Sequence, residues 1–91
     1  MINPTTQQDS LKRLARIEGQ IQGLQRMIRD GRYCIDIIQQ ITASKKALEQ
    51  VALVVMRRHV DSCVAEAIRS KDGKGKEKIA ELMGTIHRFI K

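Results

Sequence analysis

A stretch without glycine or proline extends from residue 32 to residue 72, and it constrains the fold of this chain more than any other feature. Such a stretch is typical of one long helix, which we predict over residues 33–70. That helix would be roughly 55 Å long at 1.5 Å per residue. Its apolar residues, among them Ile38, Val51 and Val55, spread over a wide arc. The pattern therefore indicates a central helix that packs on more than one side.

Two shorter segments flank the central one and follow the helical repeat. Residues 6–30 carry apolar side chains at alternating spacings of three and four, namely Leu14, Ile17, Ile21, Leu24 and Ile28. Residues 76–90 repeat the pattern with Ile79, Leu82, Ile86 and Phe89. Gly31 is placed to end the first helix in a left-handed cap, and Asp72 to Gly75 predicts a turn. We expect one all-α domain over residues 1–91, a three-helix protomer whose exposed apolar faces a partner chain covers.

The composition excludes several classes of protein. No apolar run approaches the roughly 20 residues of a membrane span, and no secretory signal is visible. Two cysteines are too few for a secreted disulfide scaffold, so a reduced, cytoplasmic protein is expected. The net charge of +7 favours a polyanionic partner, nucleic acid first and an anionic membrane second. Tyr33 and Phe89 are the only aromatic residues, which favours duplex over single-stranded nucleic acid.

Three side chains that bind soft metals lie on the predicted central helix: Cys34, His59 and Cys63. At 100° per residue, His59 and Cys63 fall within about 20° of Cys34 on the helical wheel. Along the helix, however, Cys34 is roughly 37 Å from His59, so one chain cannot close a site. An antiparallel partner can, if position i faces about position 95 − i across a two-fold axis between Ala47 and Leu48. The spacing predicts a symmetric dimer with two intersubunit sites.

Two thiolates and one imidazole form a soft, three-ligand set. Thiolates favour Cu(I), Zn(II) and iron–sulfur clusters, and structural zinc usually takes four protein ligands. No fourth ligand is evident, so three-coordinate Cu(I) is favoured over a catalytic zinc ion with a bound water. No clear general base accompanies such a zinc ion, because Glu66, one short turn past Cys63, is more simply explained as a solvated charge on the helix.

Four motifs together resemble the copper-sensing operon repressor (CsoR) family of bacterial transcription factors. They are the segment from Leu11 to Gln20, Arg32-Tyr33-Cys34, His59-x-x-x-Cys63, and Glu81-Leu82-Met83. The resemblance implies a homotetramer, built as a dimer of antiparallel helical dimers. It implies that the metal-free protein represses by binding operator DNA. It further implies that Cu(I), held by Cys34 of one protomer and His59 and Cys63 of another, releases genes for copper export or buffering.

The resemblance also implies roles for residues beside the ligands and distinguishes branches of the family. Tyr33 and Glu81 match residues that support the ligands in the family, with Glu77 as the alternative to Glu81. The nickel and cobalt branch uses a His near the N-terminus, the formaldehyde branch an acid at the second Cys position, and the persulfide branch no His. This chain has no His near its N-terminus, carries Cys63 at the second Cys position and has His59 as well. These three differences favour copper.

Two alternatives remain open beside a repressor, and an enzyme or a small-molecule substrate is not expected. A copper storage protein would bind the metal without salt-sensitive duplex binding. A thiol redox or persulfide-responsive regulator of the same fold would pair Cys34 with Cys63 of another chain and would not need His59.

No helix-turn-helix is evident, so DNA contact is expected from a basic surface. Arg13 and Arg16, with Gln20, form one stripe beside the apolar face of the first helix. A second stripe on the central helix holds Lys46, Gln50 and Arg57. We predict that Arg13, Arg16 and Lys46 contact the phosphates of double-stranded operator DNA, with a strong dependence on salt.

Overall fold

Three helices make up the protomer in the computed structural model, which describes residues 2–69 and 73–91. They are α1 over Pro4–Arg29, α2 over Cys34–Arg69 and α3 over Gly75–Ile90. No strand occurs in the described residues, so the predicted all-α, three-helix protomer is confirmed. The helices begin and end within two residues of their predicted bounds. No helix in the described part of the chain is long and apolar enough to cross a membrane.

The start of α1 lies two residues before the predicted one because Asn3 and Pro4 form a strong helix start. The Asn3 side chain caps the helix by accepting a hydrogen bond from the Thr6 N–H at 2.8 Å. Pro4 occupies the first turn, where its missing N–H costs nothing. Asn at the N-cap and Pro at the first helical position both favour a helix start. The predicted start at residue 6 relied on the spacing of the apolar residues and did not use these two.

The end of α1 forms the predicted left-handed cap. Gly31 has a φ of 66°, a conformation that side-chain-bearing residues rarely adopt. The Arg32 N–H donates to the Met27 carbonyl at 3.0 Å and the Gly31 N–H to the Ile28 carbonyl at 3.2 Å, which is a Schellman motif. The chain then reverses, and Cys34 is the first residue of α2. The cap therefore places a candidate metal ligand at a defined helix end.

The central helix α2 packs against both other helices, whereas the Cα atoms of α1 and α3 stay more than 8 Å apart within the described residues. The Ser44 hydroxyl donates to Gln20 Oε1 at 3.2 Å and joins α2 to α1. The buried apolar side chains are few: Ile17, Val51, Cys63 and Leu82. The protomer is consequently long and flat, with extents of 59 × 28 × 13 Å.

Apolar side chains remain exposed along all three helices. The accessible surface is 7478 Å², whereas a compact monomer of this mass exposes about 5,400 Å². Ile68 at the end of α2 is 80% exposed, and Ile28, Ile38 and Met83 are each more than half exposed. The helical repeats predict that these apolar faces are buried. In the single protomer, however, much of this apolar surface is in contact with solvent.

Two glycines of α3 are expected to respond in opposite ways to alanine. A Cβ atom at Gly75 would lie 3.0 Å from Ala67 Cα, so Gly75→Ala should push α3 away from α2 and cost about 1–3 kcal/mol. A Cβ atom at Gly84 meets only the flexible end of Arg88 at 3.6 Å. Gly84→Ala should therefore stabilise the helix by about 0.5–1 kcal/mol. Urea denaturation of both variants measures the difference, and equal effects would refute the close contact at Gly75.

Candidate functional site

His59 and Cys63 lie one turn apart on α2 and line a cavity of about 460 Å³ between α2 and α3. Cys63 is only 4% exposed, and Leu82 of α3, which lines the same cavity, is also buried, whereas His59 is exposed. Both cysteine thiols are free. The cavity is lined by Val55, Met56, His59, Ser62, Cys63, Glu66, Lys78, Glu81, Leu82 and Thr85.

Cys34 lies at the opposite end of α2 and is exposed. It is about 44 Å from Cys63 along the helix axis. The described residues of one protomer contain no group of three His, Cys, Asp or Glu side chains that could hold a metal ion. One protomer therefore brings together two of the three predicted ligands, and the third remains at the far end of the same helix.

The donor set of the cavity fits a soft metal ion. A buried thiol and an exposed imidazole on one helix face are the donors that Cu(I) and Zn(II) prefer. Met56 adds a thioether to the cavity wall, three residues before His59. The prediction from sequence did not include Met56, although its spacing from His59 and Cys63 places it on the same face.

Acidic residues of the cavity differ in their surroundings. Glu81 lines the cavity, whereas Glu77 is not among its lining residues. Glu66 accepts a hydrogen bond from the Lys78 Nζ at 3.4 Å, which joins α2 to α3 across the cavity rim. Both side chains of this pair are more than half exposed, so the ion pair is readily opened. Glu81, and not Glu77, thus lines the same cavity as His59 and Cys63.

Tyr33 lies just before α2, next to Cys34, and is 68% exposed. Its carbonyl accepts the Ile37 N–H at 3.2 Å, so its backbone starts the helix. Within one protomer Tyr33 is separated from the cavity by nearly the whole length of α2. Within one chain Tyr33 therefore lies near Cys34 alone, and any role beside His59 and Cys63 requires another chain.

Parts of the two predicted basic stripes meet in a second cavity, a groove of about 830 Å³. Arg13 of α1 and Gln50 and Arg57 of α2 line it, together with Arg58, which the prediction from sequence did not include. Arg16 and Lys46 are exposed but lie outside this groove. Gln20 accepts a hydrogen bond from the Ser44 hydroxyl, so its side chain belongs to the contact between α1 and α2 and not to the predicted basic stripe on α1.

Arg13 is partly neutralised by its own helix. Its Nε lies 3.2 Å from Asp9 Oδ2 and 3.3 Å from Asp9 Oδ1, one turn earlier on α1. The two side chains are each more than 40% exposed, so the pair is easily opened. A phosphate that approaches Arg13 therefore has to compete with the Asp9 carboxylate.

Candidate ligands for a soft metal ion and a groove with three arginines share the central helix, a combination that fits a metal-responsive DNA-binding protein. A family model described as a metal-sensitive transcriptional repressor matches residues 6–88. The chain belongs to this family of metal-sensitive transcriptional repressors, and the resemblance to copper-sensing repressors is confirmed.

Individual relatives share both sequence and fold with this chain. The copper-sensing transcriptional repressor CsoR of Bacillus subtilis (strain 168) is 46% identical over 79 residues, which are 87% of this chain and 76% of that protein. The crystal structure of the copper-sensing repressor CsoR with Cu(I) from Geobacillus thermodenitrificans NG80-2 has a TM-score of 0.86 and 46% identity, covering 100% of this chain and 95% of that one. The nickel-responsive transcriptional regulator InrS has a TM-score of 0.77 and 33% identity, with 90% of each chain covered.

Proposed function

We propose that this protein is a Cu(I)-responsive transcriptional repressor that acts in the cytoplasm and has no enzymatic activity. The metal-free form binds operator DNA, and Cu(I) binding releases the DNA and derepresses copper-resistance genes. The observation that carries the proposal is the position of His59 and Cys63 on one turn of α2, with Cys34 in phase at the other end of the same helix. The similarity to copper-sensing repressors supports the choice of metal.

The proposed site is completed by an antiparallel partner. When position i of one α2 faces about position 95 − i of the other, Cys34 of one protomer meets the His59–Cys63 turn of its partner. Near the two-fold axis, Ile41, Leu48 and Ala52 fall within about 40° of Cys34 on the α2 wheel, so apolar side chains would face the partner there. A homodimer of this kind, paired again as a homotetramer, would cover the exposed apolar side chains of α1, α2 and α3.

The surface of the protomer is large enough for such an assembly. The chain exposes about 2,100 Å² more than a compact monomer of its mass. A standard interface buries about 800 Å² on each partner, so the excess accommodates two interfaces. This agreement supports a dimer of dimers.

Each residue of the proposed site has a distinct role. Cys34, His59 and Cys63 supply two thiolates and one imidazole, a donor set that stabilises Cu(I) in three-coordinate form. One ring nitrogen of His59 serves as the ligand, and the other donates its N–H to an acceptor in the cavity, for which we propose Glu81. Tyr33 of the partner would lie beside its own Cys34 at the edge of the site.

The coupling between metal and DNA follows from linkage. If the metal-bound conformation binds DNA more weakly, DNA must weaken metal binding by the same factor, with a typical coupling of about 1–3 kcal/mol. We assign the phosphate contacts to Arg13, Arg16 and Lys46. His59 and Arg13 lie on packed helices, and α2 therefore provides the rigid connection between the metal cavity and the basic surface.

An anaerobic Cu(I) titration against a colorimetric chelator tests the proposal. The reduced wild-type protein should bind one Cu(I) per chain tightly, and His59→Ala should weaken binding by at least tenfold because the imidazole ligand is lost. His87→Ala is the matched control and should bind as the wild type does, since His87 does not line the cavity. Binding that does not depend on His59 would contradict the proposal and favour a thiol redox regulator.

A further inference from the structure

The cavity between α2 and α3 holds a soft donor that the three proposed ligands do not include. Met56 is half-buried and lines the same cavity of about 460 Å³ as His59 and Cys63. Its thioether sulfur carries no proton and no charge, so it is free to donate to a metal ion without first being deprotonated. One wall of the cavity therefore combines a thioether, an imidazole and a thiol.

Met56, His59 and Cys63 occupy three successive turns of one helix face. Along the axis of α2, His59 lies roughly 4.5 Å from Met56 and roughly 6 Å from Cys63. On the helical wheel the three side chains span about 60°. Residues three and four apart are neighbours on a helix surface, so His59 has Met56 on one side and Cys63 on the other. The three rotatable bonds of a methionine side chain allow its sulfur to adjust to a metal ion beside His59.

The other heteroatoms of the cavity are less suited to Cu(I). The Ser62 hydroxyl donates to the Arg58 carbonyl at 3.1 Å, and the Thr85 hydroxyl donates to the Glu81 carbonyl at 3.0 Å. The carboxylate and hydroxyl oxygens of the cavity are hard donors, which suit Mg²⁺, Ca²⁺ or Mn²⁺ better than Cu(I). Among the residues that line the cavity, only Met56 and Cys63 carry sulfur. Met56 is thus the soft donor that remains once His59 and Cys63 are assigned.

We propose that Met56 supplies a fourth, weaker donor to the Cu(I) site and thereby favours Cu(I) over Zn(II). Thioether sulfur is a ligand that selects Cu(I), whereas zinc in proteins is bound by cysteine, histidine and carboxylate side chains. The inference rests on the proposed function, because it adds a donor to the same site. It assigns to Met56 a role in the choice of metal that an apolar side chain of equal size does not supply.

The affinities of Met56→Leu for two metal ions test the assignment. Leucine preserves the volume of the side chain and removes the sulfur. The variant should bind Cu(I) about threefold to tenfold more weakly than the wild type, because one weak donor is lost. Its affinity for Zn(II) should change by less than about twofold. Anaerobic competition with a colorimetric chelator for each metal ion measures both values. Unchanged Cu(I) affinity, or an equal loss for both ions, would overturn the role in selectivity.

Met83→Leu is the matched control. Met83 lies on α3, is 60% exposed and does not line the cavity. The substitution removes the same sulfur atom from the chain and should leave the affinities for Cu(I) and Zn(II) as in the wild type. Equal losses of Cu(I) affinity in the Met56 and Met83 variants would show an effect of methionine content and contradict a site at Met56.

X-ray absorption at the copper edge detects the sulfur contact directly. Wild-type protein in which selenomethionine replaces methionine is loaded with one Cu(I) per chain, so the test does not depend on the folding of a variant. The spectrum should contain a copper–selenium contribution. Met56→Leu should abolish this contribution and Met83→Leu should retain it. Absence of selenium around copper in the wild type would overturn coordination by Met56, even if Met56→Leu weakens binding, because Met56 would then act through packing alone.

The failure of this inference is distinguishable from that of the proposed function. Wild-type protein whose Cu(I) binding depends on His59, with no copper–selenium contact and with normal release of a DNA duplex on addition of Cu(I), would overturn the role of Met56 alone. A copper–selenium contact in a protein that binds no duplex, or that keeps the duplex when Cu(I) is added, would overturn the copper-responsive repressor and leave the assignment of Met56 standing.

Discussion

A mixture of Cys34→Ser and Cys63→Ser protein should regain Cu(I) binding that neither variant shows alone. In the proposed dimer each site takes Cys34 from one chain and His59 and Cys63 from the other. A mixed dimer therefore has one intact site, formed by Cys34 of the Cys63→Ser chain and the ligand pair of the Cys34→Ser chain. Random exchange of equal amounts makes half of the dimers mixed, so about one quarter of the wild-type copper content per chain should return.

This experiment separates an intersubunit site from a site within one chain. The two variants are unfolded together, refolded together under reducing conditions and titrated anaerobically with Cu(I). A mixture of Cys63→Ser with His59→Ala is the matched control, because both substitutions remove ligands from the same turn and no mixed dimer has a complete site. Recovery in that control, or none in the first mixture, would contradict the antiparallel assignment.

Leu48→Asp should dissociate the assembly and, with it, most of the helical structure. Leu48 is 46% exposed in the protomer and lies next to the proposed two-fold axis. Two copies of the variant would place two carboxylates close together and lose the apolar burial of two leucines. Loss of about 2–3 kcal/mol for each of the two leucines weakens a dimer by about three to four orders of magnitude. Among the residues that the structure describes, one protomer buries only Ile17, Val51, Cys63 and Leu82 as apolar side chains, so it has little core with which to remain folded.

Sedimentation and circular dichroism measure the two parts of this prediction. The variant should sediment as a monomer and lose helical signal at micromolar concentration. Leu48→Met preserves apolar volume and should assemble normally. Gln39→Asp places the same charge on the opposite side of α2, at about 140° from Cys34, and should also assemble. A Leu48→Asp protein with wild-type mass and helicity would place the interface elsewhere.

The helical architecture was predictable because the signals are local. The absence of glycine and proline between Gly31 and Gly73 predicts α2, and the three–four spacings predict α1 and α3. The structure has these helices at the predicted places. Gly75 shows where such reasoning ends. The sequence predicts Gly75 as the last residue of a turn, whereas in the structure it is the first residue of α3 and lies against Ala67 of α2. The spacing of residues along one helix carries no information about its distance from another helix.

The candidate site was predictable only within a single helix. The periodicity of α2 places Cys34, His59 and Cys63 in one stripe, but it carries no information about which α3 residue faces them. The choice between Glu77 and Glu81 depended on the rotation of α3 against α2, and the cavity lining places Glu81 there. The sequence analysis did not include Arg58 for a similar reason. The groove that Arg58 lines is formed by segments of α1, α2 and α3 that are far apart in sequence.

The continuous course of α2 from Cys34 to Arg69 has an evolutionary consequence. One inserted residue between Cys34 and His59 would rotate the two ligands apart by about 100°, in both chains of a symmetric pair. An insertion of seven residues would restore their phase to within about 20°. Both antiparallel helices would lengthen equally, so their ends would still meet. Lineages that keep this site can therefore change the length of α2 only by insertions or deletions that span nearly whole numbers of helical turns, such as seven or eleven residues.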